Sequence, residues 1–433
     1  MTRIWAYLAC LALTSQAVIA QDKVECSKDK KCPENKPCCS QYGQCGVGAY
    51  CLGGCDPFSS FSIESCAPAP VCKSKTYKFD NLDGIASNQR YLGDASKSDW
   101  VSSGKPLSNN GDLLLTMPKN SVGTLLANNH YVWYGKATAK LKTSRGAGVI
   151  TAFILMSDVK DEIDYEFVGT DLHTAQTNYY FQGIIDYTNG ENVTVEGGDT
   201  FSQEHTYEID WKPDSITWSV DGKPRRVLNK KDTFNKETNQ YNFPQSPSRV
   251  QLSLWPGGLE TAAKGTVDWA GGYVDWNHED IKNHGYYYSI FSEISIECYD
   301  PPKSAKIEGD KSYIYTTKAG TEDTIKITDK STVLKSFLAT GTDMDKEPPK
   351  SGKPDDEEVN SVPGISGGGS GAHGGSSGGS SPGGDNGNDL GPSTDFTGPG
   401  SNGGSSGAPS QNERVLKGSI FAVLVAVMVL VNM

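Results

Sequence analysis

The chain is 433 residues long, carries a formal net charge of −12 at pH 7, and is 36% hydrophobic. That length allows two or three domains, and the acidic balance excludes nucleic acid as a partner. Its 48 glycines and 11 cysteines are unevenly spread, so composition alone divides it into regions.

Residues 1–20, MTRIWAYLACLALTSQAVIA, place Arg3 before an apolar run and end on the small Ala20. This predicts a cleaved secretory signal, because the run is too short and wrongly flanked to span a membrane. Cys10 leaves with it, and nine of the ten remaining cysteines fall between Cys26 and Cys72. An even number in an exported chain predicts disulfides rather than a metal cluster. Residues 21–72 are cysteine-dense and lack long apolar runs, so bridges must replace a core too small to hold the fold alone.

Within that region, residues 32–51 read CPENKPCCSQYGQCGVGAYC. The adjacent Cys38 and Cys39, the SQYG turn, and then Cys45 and Cys51 resemble the hevein-type chitin-binding module. The resemblance implies a shelf of Ser40, Tyr42 and Tyr50 on which N-acetylglucosamine stacks. Gln44 stands where that family often has a second aromatic ring, so one stacking platform is missing. The same resemblance implies the bridges Cys26 with Cys39, Cys32 with Cys45 and Cys38 with Cys51. Cys55, Cys66, Cys72 and Cys298 are left with three possible pairings.

Residues 73–300 are rich in Tyr, Trp, Val, Ile and Thr, with alternation in HTYEIDW, SITWSVDG and VQLSLW and turns at Gly, Asp and Asn. Many short strands without a long helical period predict an all-β sandwich of two sizeable sheets. In DVKDEIDYEFVG, residues 158–169, strand period places Glu162, Asp164 and Glu166 on one face and Ile163, Tyr165 and Phe167 on the other. This is either a solvated edge strand or a catalytic device. On an inner face three carboxylates repel one another and raise at least one pKa, a cost tolerated where one acid must be protonated and another ionised.

Retaining glycosidases need such a pair about 5–5.5 Å apart. The Cα atoms of residues 162 and 166 lie about 13 Å apart at roughly 3.3 Å per residue. The two side chains must therefore lean together over a concave sheet. The segment resembles the Glu-x-Asp-x-Glu signature of glycoside hydrolase family 16. The resemblance implies a β-jelly roll with a concave cleft, Glu162 as nucleophile, Glu166 as acid/base that also contacts the sugar, and Asp164 orienting both.

The same period nominates further cleft residues. VQLSLWPGG leaves Gln251, Ser253 and Trp255 opposite its apolar face, TNYYFQG groups Asn178, Tyr180 and Gln182, and GTVDWAGGYVDW offers Thr266 and Asp268 on one side with Trp269 and Trp276 near glycine turns. Flat rings beside amides and hydroxyls suit a sugar, although tryptophans in β-proteins also serve as core. Asn192 in NVT is the only Asn-x-Ser/Thr site, and a glycan there would mark an outward loop.

Residues 301–345 stay polar with a strand-like SYIYTT, and no role is assigned to them. Residues 346–410 are a Pro-, Gly- and Ser-rich stalk that buries too little apolar area to fold. Residues 411–433 end in an apolar run behind small residues and a polar spacer, the order of a glycosylphosphatidylinositol anchor signal, with Asn402 as the anchored residue. A plain tail-anchor helix is the alternative. The six histidines show no ligand spacing, so neither a metal nor a cofactor is expected.

Together these parts resemble the fungal cell-wall transglycosylases of the CRH family that carry a chitin-binding module. The resemblance implies chitin as donor, β-glucan as acceptor, and a location at the cell wall and outer face of the plasma membrane through the lipid anchor. The alternatives are a secreted chitin or β-glucan endohydrolase, and a wall-anchored carbohydrate-binding protein without catalysis. The carboxylate trio argues against the last, because a pure binder gains nothing from mutual repulsion.

Overall fold

A computed structural model describes residues 24–348 and Pro363. The expected secretory signal, stalk, anchor signal and Asn402 lie outside the described residues. Two eight-stranded sheets pack face to face. The first runs, in spatial order, Glu191–Thr194, Thr174–Tyr180, Glu162–Val168, Val149–Ser157, Ser248–Pro256, Thr124–Val132, Trp100–Ser103 and Ile85–Ser87. Only its last pair is parallel. The second is built around the 13-residue strand Tyr286–Cys298, which Gly135–Lys142 and Asp112–Pro118 flank. This is the all-β jelly-roll sandwich expected.

Alternation dictates which side chains fill the interior. His205–Trp211 buries every second residue, and its Tyr207, Ile209 and Trp211 face the other sheet. From that sheet come Phe153, Ile163, Tyr165 and Phe167, with Tyr165 and Phe167 both edge-on to Tyr207. Burying one large side chain of this kind contributes about 1.5–3 kcal/mol, so the interior face of the acidic strand fixes its outer face in register.

The cysteine-rich region is a separate small unit. Within it, Cys38–Cys39 pairs with Cys45–Gly46 as a two-stranded sheet. The bridges Cys26–Cys39, Cys32–Cys45 and Cys38–Cys51 form as the hevein resemblance implies. The open pairings resolve as Cys55–Cys66 within this unit and Cys72–Cys298 at its exit, the latter spanning 226 residues.

Residues 301–348, without a role in the sequence, fold onto both units. Lys306–Ile307, Ser312–Tyr315 and Ile325–Thr328 join Ala69–Pro70 in a four-stranded sheet whose Tyr313, Ile325 and Ile327 enter the main core. The following segment straps over the cysteine unit. Leu334 and Ala339 are buried against Cys38, Cys51, Leu52 and Cys55, and the Gly48 N–H donates to the Ala339 carbonyl at 2.9 Å.

Candidate active site

The acidic strand Glu162–Val168 lies inside its sheet, between Val149–Ser157 and Thr174–Tyr180. It is therefore no edge strand. Ile163, Tyr165 and Phe167 are buried in the core, while Glu162, Asp164 and Glu166 line a cleft of about 950 Å³ on the opposite face. Glu162 is 8% exposed and Asp164 2%, and each has one carboxylate oxygen without a hydrogen-bond partner in the protein.

Removing water from three neighbouring carboxyls penalises their charged forms. Burial, then Asp164 and Glu166, push Glu162 well above the usual carboxylate range. Burial also raises Asp164, against the opposing charge of Arg226. Burial and Asp164 raise Glu166. Burial and mutual repulsion thus disfavour three simultaneous charges, so the trio shares protons, and a general acid requires a carboxyl that keeps one.

Arg226 acts from behind the sheet. It lies over the Trp218 ring at 4.5 Å and donates to the Thr177 and Asn189 carbonyls at 2.8 and 2.6 Å. Trp218 Nε1 donates to the Asp164 carbonyl at 3.1 Å, which pins the strand at its middle acid. Asp161, one residue before Glu162, accepts from the Gln182, Gln245 and Ser246 N–H groups at 2.9, 2.9 and 3.0 Å and from Ser246 Oγ at 2.6 Å. Burial nevertheless lifts its pKa to about 6.

Of the cleft residues nominated from the sequence, Asn178, Tyr180, Gln182, Gln251, Ser253, Trp255, Thr266 and Trp269 line this cleft, whereas Asp268 pairs with Lys264 at the surface and Trp276 packs against the main core. Tyr180 pairs in register with Glu162, and its hydroxyl accepts from Asn178 Nδ2 at 2.8 Å, leaving the phenolic proton to donate. Trp255 and Trp269 stack with centroids 6.0 Å apart and form a flat apolar wall.

The local structure differs from expectation at three of these positions. Thr266 and Trp269 sit on a short helix, Lys264–Trp269, rather than a strand, so their spacing of three residues puts both on one face. Gln182 has left its strand, which ends at Tyr180. It takes φ 48°, held by the Asp161 carboxylate, and its side chain donates to the Ala319 carbonyl at 2.6 Å. Asn192 belongs to the strand Glu191–Thr194 rather than to an outward loop, and it too lines the cleft.

Other cleft residues escaped the sequence reading. Gln176 accepts from Trp269 Nε1 at 2.7 Å and pairs with Glu166, and extending the Asn178 and Tyr180 period backwards would have found it. Tyr187, 58% exposed, stands at the rim. The cysteine unit closes part of the cleft with Gln41, Tyr42, Asp56 and Phe58. Gln41 Oε1 accepts from Arg249 Nη2 at 3.2 Å and Gln251 Nε2 at 3.5 Å, and the Gly54 N–H donates to Asp158 at 2.8 Å.

The expected shelf of Ser40, Tyr42 and Tyr50 does converge, but around a smaller cavity that it shares with Asn88, Tyr91 and Arg249 of the jelly roll. Ser40 is buried, Tyr50 packs in the cluster that holds the C-terminal strap, and Tyr42 alone also reaches the large cleft.

Known proteins resemble this chain. The family profile of Glycosyl hydrolases family 16 matches residues 94–271, the stretch that holds the acidic strand. Crh-like protein 2 of Aspergillus fumigatus is 58% identical over 435 residues, covering 98% of each chain. Crh-like protein UTR2 of Candida albicans is 45% identical over 374 residues, covering 84% of this chain and 79% of its own. Among solved structures, a Crh5 transglycosylase in complex with NAG is 29% identical with a TM-score of 0.50, covering 63% of this chain and 99% of that one.

Proposed function

This chain belongs to glycosyl hydrolases family 16, with the Crh-like proteins among its relatives, and from that membership we propose a retaining transglycosylase of the fungal cell wall that cleaves chitin and transfers the new chain end onto β-glucan. The observation that carries this reading is the trio of buried carboxyls on one face of a cleft flanked by stacked tryptophans.

Glu162, ionised, attacks the anomeric carbon of the sugar. Glu166, protonated, gives its proton to the glycosidic oxygen as the bond to the departing chain breaks, and a covalent glycosyl-enzyme forms. Glu166, now a base, takes the proton of a β-glucan hydroxyl as that oxygen displaces the Glu162 carboxylate, and configuration is retained. Asp164 holds a proton between the two glutamates so that neither role requires three adjacent charges. Trp255 and Trp269 offer flat faces to the sugar rings, and Asn178, Tyr180, Gln182, Gln251 and Thr266 supply polar groups for ring hydroxyls. Transfer wins over hydrolysis to the extent that a seated acceptor displaces water from the Glu166 side.

Five disulfides fit an exported protein, and the secretory signal and anchor pattern fit retention at the outer face of the plasma membrane beside the wall. The test is to incubate the secreted chain with chitin oligosaccharides and a fluorescent β-glucan acceptor and read the products by mass spectrometry. Labelled hybrids are expected. Shortened chitin without hybrids would make it a hydrolase, and no product at all would leave a binding protein.

A further inference from the structure

We propose that Asn192 carries an N-linked glycan that lies in the mouth of the catalytic cleft and competes there with the acceptor chain. This rests on the reading above, in which the cleft accepts N-acetylglucosamine polymers.

The placement follows from strand register. Glu166 pairs with Gln176, and Gln176 pairs with Asn192, so the three residues form one row across three adjacent strands. Cross-strand partners share a face, and here that face is the cleft, which all three line. At about 4.8 Å between strands, the Asn192 Cα lies roughly 10 Å from that of Glu166. Val193 is buried in the core, whereas Asn192 and Thr194 are exposed. Glu191–Thr194 is the outermost strand of its sheet, so the side of Asn192 away from Gln176 is open to a bulky substituent.

The chemistry fits the location. Asn192-Val193-Thr194 is an acceptor sequence, and the disulfides fit passage through the compartment where such sequences are modified. There the Asn192 amide nitrogen bonds to C1 of the first sugar, loses a proton, and displaces the diphosphate of a lipid-linked oligosaccharide donor. The first two sugars so attached are N-acetylglucosamines joined β-1,4, the repeat unit of chitin itself.

A tethered fragment of that kind therefore stands beside a site shaped for its own chemistry. Trp269, which donates to Gln176, and the exposed ring of Tyr187 flank its position. Glu166 must touch the oxygen of whichever chain leaves or enters. A sugar in its row therefore excludes the acceptor more than the donor.

The full chain, made in a secreting host, would be compared with Asn192→Gln and Thr194→Ala, which lose the acceptor sequence, and with Thr194→Ser, which keeps it. Glycopeptide mass spectrometry reads occupancy, and an unmodified Asn192 would overturn the proposal. A tether holds its sugar at an effective concentration in the millimolar range, so losing it should lower the apparent KM for acceptor about 2- to 10-fold. Thr194→Ser should keep the wild-type KM.

Equal KM values in glycosylated and glycan-free chains would also overturn it. Tryptophan fluorescence titrated with β-glucan oligosaccharides, the acceptor, makes the same comparison without turnover. Tighter binding by both glycan-free variants supports the proposal even if the transfer reaction itself fails, and equal affinities there refute it.

Discussion

The jelly roll and the cysteine unit solve the same stability problem in opposite ways. The jelly roll has an interior of its own, in which Phe153, Tyr165, Phe167, Tyr207, Trp211 and Trp218 interlock between two sheets. The cysteine unit has four disulfides, a two-residue sheet pair, and an apolar cluster completed by Leu334 and Ala339 from the far end of the chain. A region with its own core can carry a strained acidic strand. One without a core gains its place by docking, and its docked edge becomes a wall of the cleft.

The sharpest separation of the two regions comes from Glu162→Gln. It removes the proposed nucleophile from an otherwise intact jelly roll, so turnover should fall by about 10⁴-fold or more, as loss of a catalytic nucleophile does elsewhere. Binding of chitin oligosaccharides and the thermal midpoint should persist, and their joint loss would show that Glu162 holds the fold.

Leu334→Ala strikes the other region. Truncating this 1% exposed side chain should cost about 2–4 kcal/mol, taken mainly from the cysteine unit. Hydrogen exchange should rise around residues 48–66 while the strands of the jelly roll stay protected. Equal loosening of both would mean that they unfold as one.

The smallest effect is a pH dependence of stability. Burial raises Asp158 and Asp161 from 3.8 to about 6 in the folded protein. Between those values the folded state binds more protons than the unfolded one, so stability falls as pH rises, and the higher pKa values of Asp164, about 7, and Glu166, about 8, extend the fall beyond pH 6. Asp94 and Asp199 oppose this, because hydrogen bonds from nearby serines lower their pKa. The net result should be a thermal midpoint about 2–4 °C higher at pH 5 than at pH 7.5, and Asp158→Asn should flatten the difference.

The two regions also differed in how much could be read from sequence. Period two displays itself within seven residues, so the Glu162–Val168 face, and from it the cleft-lining Asn178, Tyr180, Gln251 and Trp255, followed from local pattern. The helix at Lys264–Trp269 did not, because six residues among glycines are too few to show a 3.6 period. Gln182 departs from its strand because a carboxylate 21 residues away captures its N–H. The contact of Gln41 with Arg249 joins residues 208 apart, and no periodicity in either segment announces it. The part of the site that depends on one strand was therefore legible, and the part that depends on docking was not.

The strap has a further consequence during synthesis. Cys51, near the start of the chain, meets Ala339, which lies 288 positions further along it. At ribosomal rates of about 5–20 residues per second, the cysteine unit waits roughly 15–60 s for the segment that covers it. During that interval its thiols and apolar side chains are open to exchange catalysts and chaperones of the secretory pathway. The cysteine unit, made early, is therefore finished late, and arrival of the strap completes it.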